Sequence, residues 1–291
     1  MKIAVLVRNV VDCRIPLPVD EFGEKPLLEG MINIVNPGDW LALDYALNSL
    51  PVRGDKSVTA LSLGDKESEE TLRWCRAAGA QRVLRIWDSA LAGADQLGKG
   101  KTLAAALARV EPDLVLCGDN CLDQMLSLLP GVAAAAAGIS YVPGVTTIER
   151  LEKETAVVVR KLEKGRRERV HVRLPAVIAL VDGGDSLYPD LPDSVAAFSE
   201  TVPCIDLAGL GLSAENTGER ANLAHTVSLR LARPVPVRPV TPDPNLPAEQ
   251  RLRKILQGGV ARKQGEIASG SPEQLADRII AFLRREPGAR L

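Results

Sequence analysis

The sequence contains few of the residues that build most reactive centres. There are only two histidines in 291 residues, and neither has a serine, cysteine or acidic residue at a spacing that would form a nucleophilic pair. The five cysteines are widely spaced and odd in number, which disfavours a disulfide framework. Cys117 and Cys121 form the one close pair, a poor metal site with so few histidines. We therefore expect no catalytic residue and no metal ligand in this chain.

Strong charge and long apolar runs are also missing. The formal net charge of -1 provides no general attraction to nucleic acid or to an anionic membrane. No run approaches the roughly 18 to 20 apolar residues that a membrane span requires, and the N-terminus lacks a signal-peptide pattern. The apolar fraction of 46% and the charged fraction of 25% are typical of a globular chain. We expect a cytoplasmic protein without a nucleic-acid partner and without stable membrane insertion.

Two common nucleotide-binding signatures are absent as well. Residues 93–100 (GADQLGKG) begin like a phosphate-binding P-loop, but Gly100 stands where Ser or Thr is required. Shifting the frame to Thr102 puts Asp95 where the first glycine belongs. No G-x-G-x-x-G follows the first predicted strand, so the dinucleotide-binding fingerprint is missing. We interpret Asp95 as a helix N-cap instead.

Strand and helix patterns alternate along the first half of the chain. Apolar runs predict strands at 3–7, 57–63, 82–87 and 114–117. Helical spacing occurs at 40–50, 67–78 and 96–110, and Asp39 is a good N-cap for the first of these helices. This alternation predicts an α/β protein with a parallel sheet covered by helices on both faces.

The stretch 114–138 combines a strand, a loop and a helix. Its four apolar residues at 114–117 suit a strand that is buried on both faces of a parallel sheet. Gly118, Asp119 and Asn120 follow, and then an alanine-rich run. In an open α/β sheet such a loop lies at the carboxyl edge, where ligands bind at the switch point of strand order. This loop is therefore the first candidate for a binding site.

After Gly138 the pattern changes. Apolar and β-branched runs at 142–148, 155–162 and 169–181, with a turn at 163–165, predict an antiparallel extension with a solvated basic edge. Residues 182–247 are rich in Gly, Pro and Asp with weak periodicity, which favours a partner-wrapping arm over a core. Residues 271–274 (SPEQ) then begin a last helix that has an apolar face, with a capping box between Ser271 and Gln274 and Pro272 at its first position.

Eight short motifs keep a characteristic order over nearly the whole chain. They are 1–12 (MKIAVLVRNVVD), 34–37 (IVNP), 58–64 (VTALSLG), 77–80 (AAGA), 92–95 (AGAD), 114–118 (LVLCG), 174–177 (LPAV) and 270–274 (GSPEQ). In this order they resemble the β subunits of electron transfer flavoproteins. The resemblance implies a Rossmann-like, HUP-type adenine-nucleotide-binding domain with an antiparallel extension and an extended C-terminal arm.

The resemblance also implies a function. Such a β subunit pairs with an α subunit, and the redox FAD lies chiefly in the α subunit near the interface. The heterodimer passes electrons between flavin-dependent dehydrogenases and a downstream acceptor. FAD, shared with or held by the α subunit, is therefore the expected cofactor, and AMP is the expected occupant of a β-subunit nucleotide site.

The implied nucleotide site departs from the family pattern. The positions that match nucleotide-lining residues are Leu6, Asn36, Gly64, Gly118, Asp123 and Gln124. Family members follow the fourth strand with Asp-Gly-Asp-Thr-Ala-Gln-x-Gly, which holds phosphates at a helix N-terminus. Here the run is 123–130 (DQMLSLLP), where Pro130 also removes a backbone donor. Each lost hydrogen bond to a charged group costs roughly 1.5 to 3 kcal/mol, so we expect AMP to bind weakly or not at all.

A recognition segment is implied at 183–199. Its apolar anchors are Leu187, Tyr188, Leu191, Pro192 and Phe198. Leu191 and Pro192 match a family motif whose leucine inserts into the partner dehydrogenase; the alternative is that Leu191 packs on its own arm. The predicted domains are 1–182, the nucleotide-binding-like domain with its hairpin extension, and 183–291, the recognition loop, arm and C-terminal helix.

Two other interpretations stay open at this point. One is a stand-alone adenine-nucleotide-binding module, against which the long arm argues because a sensor needs no such extension. The other is a divergent paralogue that serves a dedicated oxidoreductase. The sequence alone does not separate this paralogue from the main hypothesis.

Overall fold

The computed structural model describes residues 1–16, 18–20, 26–52, 54–123, 128–181, 187–225, 227, 243–256 and 268–285. The chain forms two compact units, which divide between Leu231 and Ala232. The functional division that we predict at residue 182 stays a prediction.

A nine-stranded sheet forms the frame of the first unit. Its strands are β1 (Lys2–Leu6), β4 (Ser57–Leu63), β5 (Arg82–Ile86), β6 (Leu114–Gly118), β7 (Ser140–Leu151), β8 (Thr155–Lys161), β9 (Arg167–Arg173), β10 (Ala176–Leu180) and β11 (Cys204–Ile205). The spatial order is β11-β5-β4-β1-β6-β10-β7-β8-β9. Pairing is parallel from β11 to β7 and antiparallel from β7 to β9. The predicted parallel sheet with an antiparallel extension is therefore confirmed.

Helices follow the parallel strands, and a small antiparallel ribbon precedes the first helix. The ribbon is β2 (Asn9–Val11) with β3 (Asn33–Val35). The α-helices of the first unit are α1 (Pro37–Asp44), α2 (Ser68–Ala77), α3 (Gln96–Val110), α4 (Leu129–Ala137), α5 (Leu191–Ser199) and α6 (Ala214–Thr217). A π-helical turn, Tyr45–Ser49, continues α1 up to the residues before Pro51.

The hydrophobic core lies on both faces of the sheet. Helices α1 and α2 cover one face, where Leu43 and Leu72 are fully buried, and α3 and α4 cover the other, where Leu103 and Ala133 lie. Alternate residues of a strand point to opposite faces, so a strand between two helical layers must be apolar at every position. All five residues of β6 are buried accordingly.

Two sequence expectations are corrected here. The predicted run 169–181 is two strands, because Pro175 lies between β9 and β10 and has no N–H to donate to a ladder. Residues 182–247 were expected to contain no core, yet Val202 and Leu207 are buried and β11 adds a parallel strand beside β5. A strand of two residues leaves too short a pattern to predict from sequence.

The second unit contains two described helices, α7 (Ala248–Leu256) and α8 (Pro272–Arg285). The Ser271 side chain accepts a hydrogen bond from the Gln274 N–H, and the Gln274 side chain accepts one from the Ser271 N–H, so the predicted capping box is confirmed. Apolar side chains on both helices are exposed, among them Leu252, Ile279 and Phe282. None of the helices in the described part of the chain is long and apolar enough to span a membrane.

Candidate functional site

The switch point of the sheet lies between β1 and β6. From β1 the chain passes outward to β4 and β5 on one side and then returns to β6 on the other side. Loops that diverge at such a point leave a crevice at the carboxyl ends of the two strands. The loop after β1, the start of α1 and the loop after β6 meet there.

Arg8, which is largely buried, and Asp39, which is fully buried, form an ion pair at this point. Arg8 Nε donates to Asp39 Oδ2 at 2.8 Å and a terminal nitrogen donates to Oδ1 at 2.9 Å. The Asp39 side chain has no exposed surface, and its Oδ1 also accepts from the Gly118 N–H at 2.8 Å. Burial alone would lower the pKa of Arg8, but the adjacent Asp39 carboxylate raises it. The pair therefore ties α1 to both strands at the switch point.

The role that we predicted for Asp39 was wrong. Helix α1 begins at Pro37, so Asn36 occupies the N-cap position and Asp39 lies inside the first turn. Asp39 then faces the sheet and pairs with Arg8, which is 31 positions earlier in the chain. A local pattern cannot reveal such a pair, although an arginine directly after a buried strand needs a counter-charge and was a usable signal.

Asn36 holds the loop after β6 with both ends of its amide. Its Nδ2 donates to the Asn120 carbonyl at 2.9 Å, and its Oδ1 accepts from the Leu122 N–H at 3.0 Å. Asn36 itself is fully buried. On the far side of the loop, Asp119 Oδ1 accepts from the Gly144 N–H at 3.0 Å. The loop is thus fixed by the Asn36 side chain and by the bond that its own Asp119 makes with the backbone of β7.

Gly118 permits the close approach of α1 to β6. A Cβ at this position would lie 2.5 Å from the Gly38 carbonyl carbon and 2.8 Å from the Asp39 nitrogen. Both neighbours are backbone atoms that cannot turn aside, so a side chain here would force the two elements apart. Gly118 is a packing requirement in this fold, whatever binds nearby.

The cysteines of this region are not activated. Burial raises the pKa of the Cys117 thiol. Burial, with the Asp123 carboxylate that its sulfur contacts at 2.8 Å, raises the pKa of Cys121 to about 12. Thiols with raised pKa values are protonated at neutral pH and are poor nucleophiles.

The structure brings some of the predicted nucleotide residues together. Asn36 contacts the loop after β6, and Gly118 at the end of β6 lies against the start of α1, whereas Leu6 is buried in the core layer of α3 and α4. Gly64 lies after β4, with the Ser68 side chain against its Cα. Asp123 is exposed, and Gln124 lies outside the described residues. Nucleotide binding by these residues stays a prediction.

The described residues fit a phosphate group poorly. Asp39, Asp119 and Asp123 place three carboxylates at this edge, and the cation beside them, Arg8, is committed to Asp39. The start of α4 has no side-chain cap, and Pro130 in its first turn lacks an N–H. A phosphate binding to this part of the chain would meet negative charge and few donors.

An exposed apolar stripe lies on α5. Leu191, Val195 and Phe198 follow helical spacing, and their exposed fractions are 76%, 60% and 42%. Asp190 caps the helix by accepting from the Asp193 N–H at 2.9 Å, and Pro192 lies in its first turn. Leu191 is therefore not buried against the described part of the chain, which weighs against the alternative that it packs on its own arm.

The stripe is anchored to α2 by one aromatic contact. The rings of Trp74 and Phe198 meet edge to face, with centroids 5.0 Å apart. Ala197, on the opposite side of α5, is buried. Of the other predicted docking residues, Leu187 packs partly against the core, while Tyr188 is 87% exposed and Pro192 is exposed. Docking by these residues stays a prediction.

The fold is a Rossmann-like sheet with a closed polar network at its switch point and an exposed apolar stripe on α5. The electron transfer flavoprotein domain model matches residues 29–186, more than half of the chain. The chain belongs to the electron transfer flavoprotein family.

Curated relatives place it on the β-subunit side of that family. It is 28% identical over 236 residues to the electron transfer flavoprotein subunit beta of Methylophilus methylotrophus, covering 77% of this chain and 86% of the relative. It is 31% identical over 201 residues to that of Thermoanaerobacterium thermosaccharolyticum, covering 69% and 76%. The caffeyl-CoA reductase-Etf complex subunit CarD of Acetobacterium woodii is 30% identical over 226 residues, covering 76% and 84%.

Proposed function

We propose that this chain is the β subunit of a heterodimeric electron transfer flavoprotein that passes electrons between flavin-dependent dehydrogenases and a downstream acceptor. The observation that carries the proposal is its similarity, over most of its length, to proteins named as β subunits of such flavoproteins. The chain supplies a scaffold and docking surfaces, and the reactive flavin chemistry belongs to the complex.

Two sets of exposed apolar side chains support a subunit with more than one partner. The first is the α5 stripe of Leu191, Val195 and Phe198, which we assign to the electron donor. The second is on α7 and α8, where Leu252, Ile279 and Phe282 are 59%, 60% and 64% exposed, and which we assign to the α subunit. Exposed apolar groups at helical spacing are typical of surfaces that another protein covers.

The FAD is assigned chiefly to the α subunit. The sequence contains no self-contained flavin motif, and the described carboxyl edge presents carboxylates and an Arg8 that is already paired. When bound near the interface, FAD supplies the redox chemistry of the complex. For the same reason AMP is expected to bind this chain weakly or not at all.

We also assign the protein to the cytoplasm. All five cysteines are free, as is usual in a reducing compartment. The stand-alone nucleotide-binding module and the divergent paralogue are not favoured, because the relatives that match most of the chain are named as subunits of electron transfer complexes.

Co-expression with the α subunit encoded in the same genome tests the proposal. An affinity tag on this chain should recover the untagged α subunit in an equimolar complex that survives size-exclusion chromatography. A monomeric chain that recovers no α subunit, while remaining folded by circular dichroism, would contradict the heterodimer.

A further inference from the structure

A pocket of about 430 Å³ lies between α1, α2 and the β2–β3 ribbon. Two tryptophans, Trp40 and Trp74, line it together with Glu70, and Leu187 and Pro189 close one side. The predicted nucleotide residues that the structure describes do not contribute to its wall. The pocket is therefore separate from the candidate site at the switch point.

Its aromatic walls are held in place by the fold. Glu70 and Trp74 are four residues apart on α2, so their side chains lie on one helix face. The Trp74 ring is 36% exposed and packs edge to face against Phe198, which restricts its orientation. Trp40 lies in α1 and packs against the core. The indole rings are thus accessible from the pocket, and their packing keeps them from filling it.

Among the described residues, the pocket wall carries one unpaired charge, and that charge is negative. Arg14 also lines the pocket, but its guanidinium binds both oxygens of Asp12 at 2.7 and 2.8 Å. Thr71 donates to the Asn9 side chain at 3.1 Å. Glu70 is exposed and has no ion pair or hydrogen bond to its carboxylate among the described residues. One uncompensated carboxylate therefore stands beside two indoles.

We propose that this pocket binds an organic cation, either an alkylammonium or a guanidinium group. Indole rings attract such cations through their electron-rich faces, and a carboxylate beside them adds direct charge pairing. The cavity volume falls within the range of small-ligand sites. A phosphate or carboxylate ligand would be repelled by Glu70, and a purely apolar ligand would leave that carboxylate without a partner.

The cation can come from a free small molecule or from a basic side chain of a bound protein. The second source rests on the proposed function, because Leu187 and Pro189 lie next to the helix that we assign to the electron donor. The two sources share one chemistry, and the experiment below separates them.

Tryptophan fluorescence of the full chain, titrated with tetramethylammonium chloride, tests the proposal. Sodium chloride at equal ionic strength is the reference, and Trp87→Phe removes the third indole of the chain. We expect a saturable change with a dissociation constant in the millimolar range or tighter. Glu70→Gln and Trp74→Leu should each weaken binding about fivefold or more, whereas Glu154→Gln, at an exposed carboxylate outside the pocket wall, should not.

The absence of a saturable change, or an equal change with sodium chloride, would overturn the proposal, as would equal weakening by Glu154→Gln and Glu70→Gln. Glu70 is exposed, so its variant is expected to fold even where Trp74→Leu does not. In a second arm, saturating tetramethylammonium is added while a dehydrogenase reduces the heterodimer. Slower reduction assigns the pocket to a basic side chain of the donor, and unchanged reduction assigns it to a free cation. If no dehydrogenase reduces the heterodimer, the proposed function fails while the titration still decides the pocket.

Discussion

The side chains of the switch-point network are largely buried, whereas those of the α5 stripe are exposed. In the network, Arg8, Asp39 and Asn36 are withdrawn from water and bonded to one another or to backbone groups. On α5, Leu191 and Val195 are largely exposed to water in the described part of the chain. The network satisfies its polar groups within the chain at the edge where related folds bind ligands, and the stripe leaves apolar surface that we propose another protein covers.

This contrast separates stability from recognition. Changes in the network should alter the free energy of unfolding, because a largely buried charge loses its counter-charge. Changes at Leu191 and Val195 should alter partner binding and leave unfolding almost unchanged, because these two side chains are largely exposed in the described part of the chain. Each prediction below tests one side of this contrast.

Asp39→Ala should have the largest effect. It leaves the Arg8 charge without its partner and the Gly118 N–H without an acceptor, so we expect a loss of about 3–5 kcal/mol in the free energy of unfolding. Urea denaturation followed by circular dichroism measures it. Asp55→Ala, at an exposed carboxylate with no described side-chain bond, is the matched control. A loss below about 1 kcal/mol would mean that water compensates Arg8 and that the pair is not structural.

Leu191→Ala should have the second-largest effect, and this effect should be on partner binding and not on stability. As an interface hot spot it should weaken docking to the electron donor by roughly 2 kcal/mol or more, seen as slower reduction of the heterodimer at limiting concentration. The melting temperature and the flavin content should not change. Leu223→Ala, at a leucine of similar exposure, 79% against 76%, is the control. A fall in stability with unaltered donor kinetics would assign Leu191 to the core.

Asp95→Ala should have a smaller and pH-dependent effect. Asp95 accepts from the Leu97 and Gly98 N–H groups at the start of α3 and from the Leu223 N–H at 2.8 Å. Losing an N-cap costs about 1 kcal/mol. The bond from Gly98 lowers the pKa of Asp95, with further contributions from Leu223 and Ala224.

The sign of the pH dependence follows from that lowered pKa. The stability is present above the unfolded-state pKa of about 3.9 and is lost as the pH falls through the folded-state value. The difference in unfolding free energy between wild type and Asp95→Ala should therefore be constant near neutral pH and narrow below about pH 4. A difference that grows on acidification would contradict the assignment.

AMP should have the smallest effect, with no appreciable rise in melting temperature at millimolar concentration. A competent site at 100 times its dissociation constant would stabilise the fold by about 2.7 kcal/mol, which differential scanning fluorimetry detects easily. A clear shift, or AMP recovered from the denatured protein, would show that the loop binds phosphate through backbone groups.

Local sequence patterns correctly predicted those strands and helices whose formation depends mainly on neighbouring residues. The strand predicted at 57–63 and the helix predicted at 96–110 have the predicted bounds, and Asp95 is the N-cap of that helix. Continuous apolar runs revealed the parallel strands because burial on both faces leaves no room for polar residues. The family resemblance, now confirmed, came from the order of several weak motifs along the chain.

The features that the sequence did not predict depend on contacts between residues that lie far apart in the chain. β11 has two residues and pairs with β5, more than a hundred positions earlier. The roles of Asp39 and Asn36 depend on loops that the fold brings to them from residues 8 and 120. The pocket between Trp40 and Trp74 likewise combines two helices whose separation in sequence hides their proximity.

The central claim is tested most directly by comparing two absorbance spectra, one of the isolated chain and one of its complex with the α subunit. We predict that the purified complex shows the yellow flavin bands and that the isolated chain, refolded or expressed alone and mixed with FAD at micromolar concentration, retains little or none after desalting. Tight stoichiometric FAD binding by the isolated chain would contradict the proposal that FAD is bound only in the complex, chiefly by the α subunit.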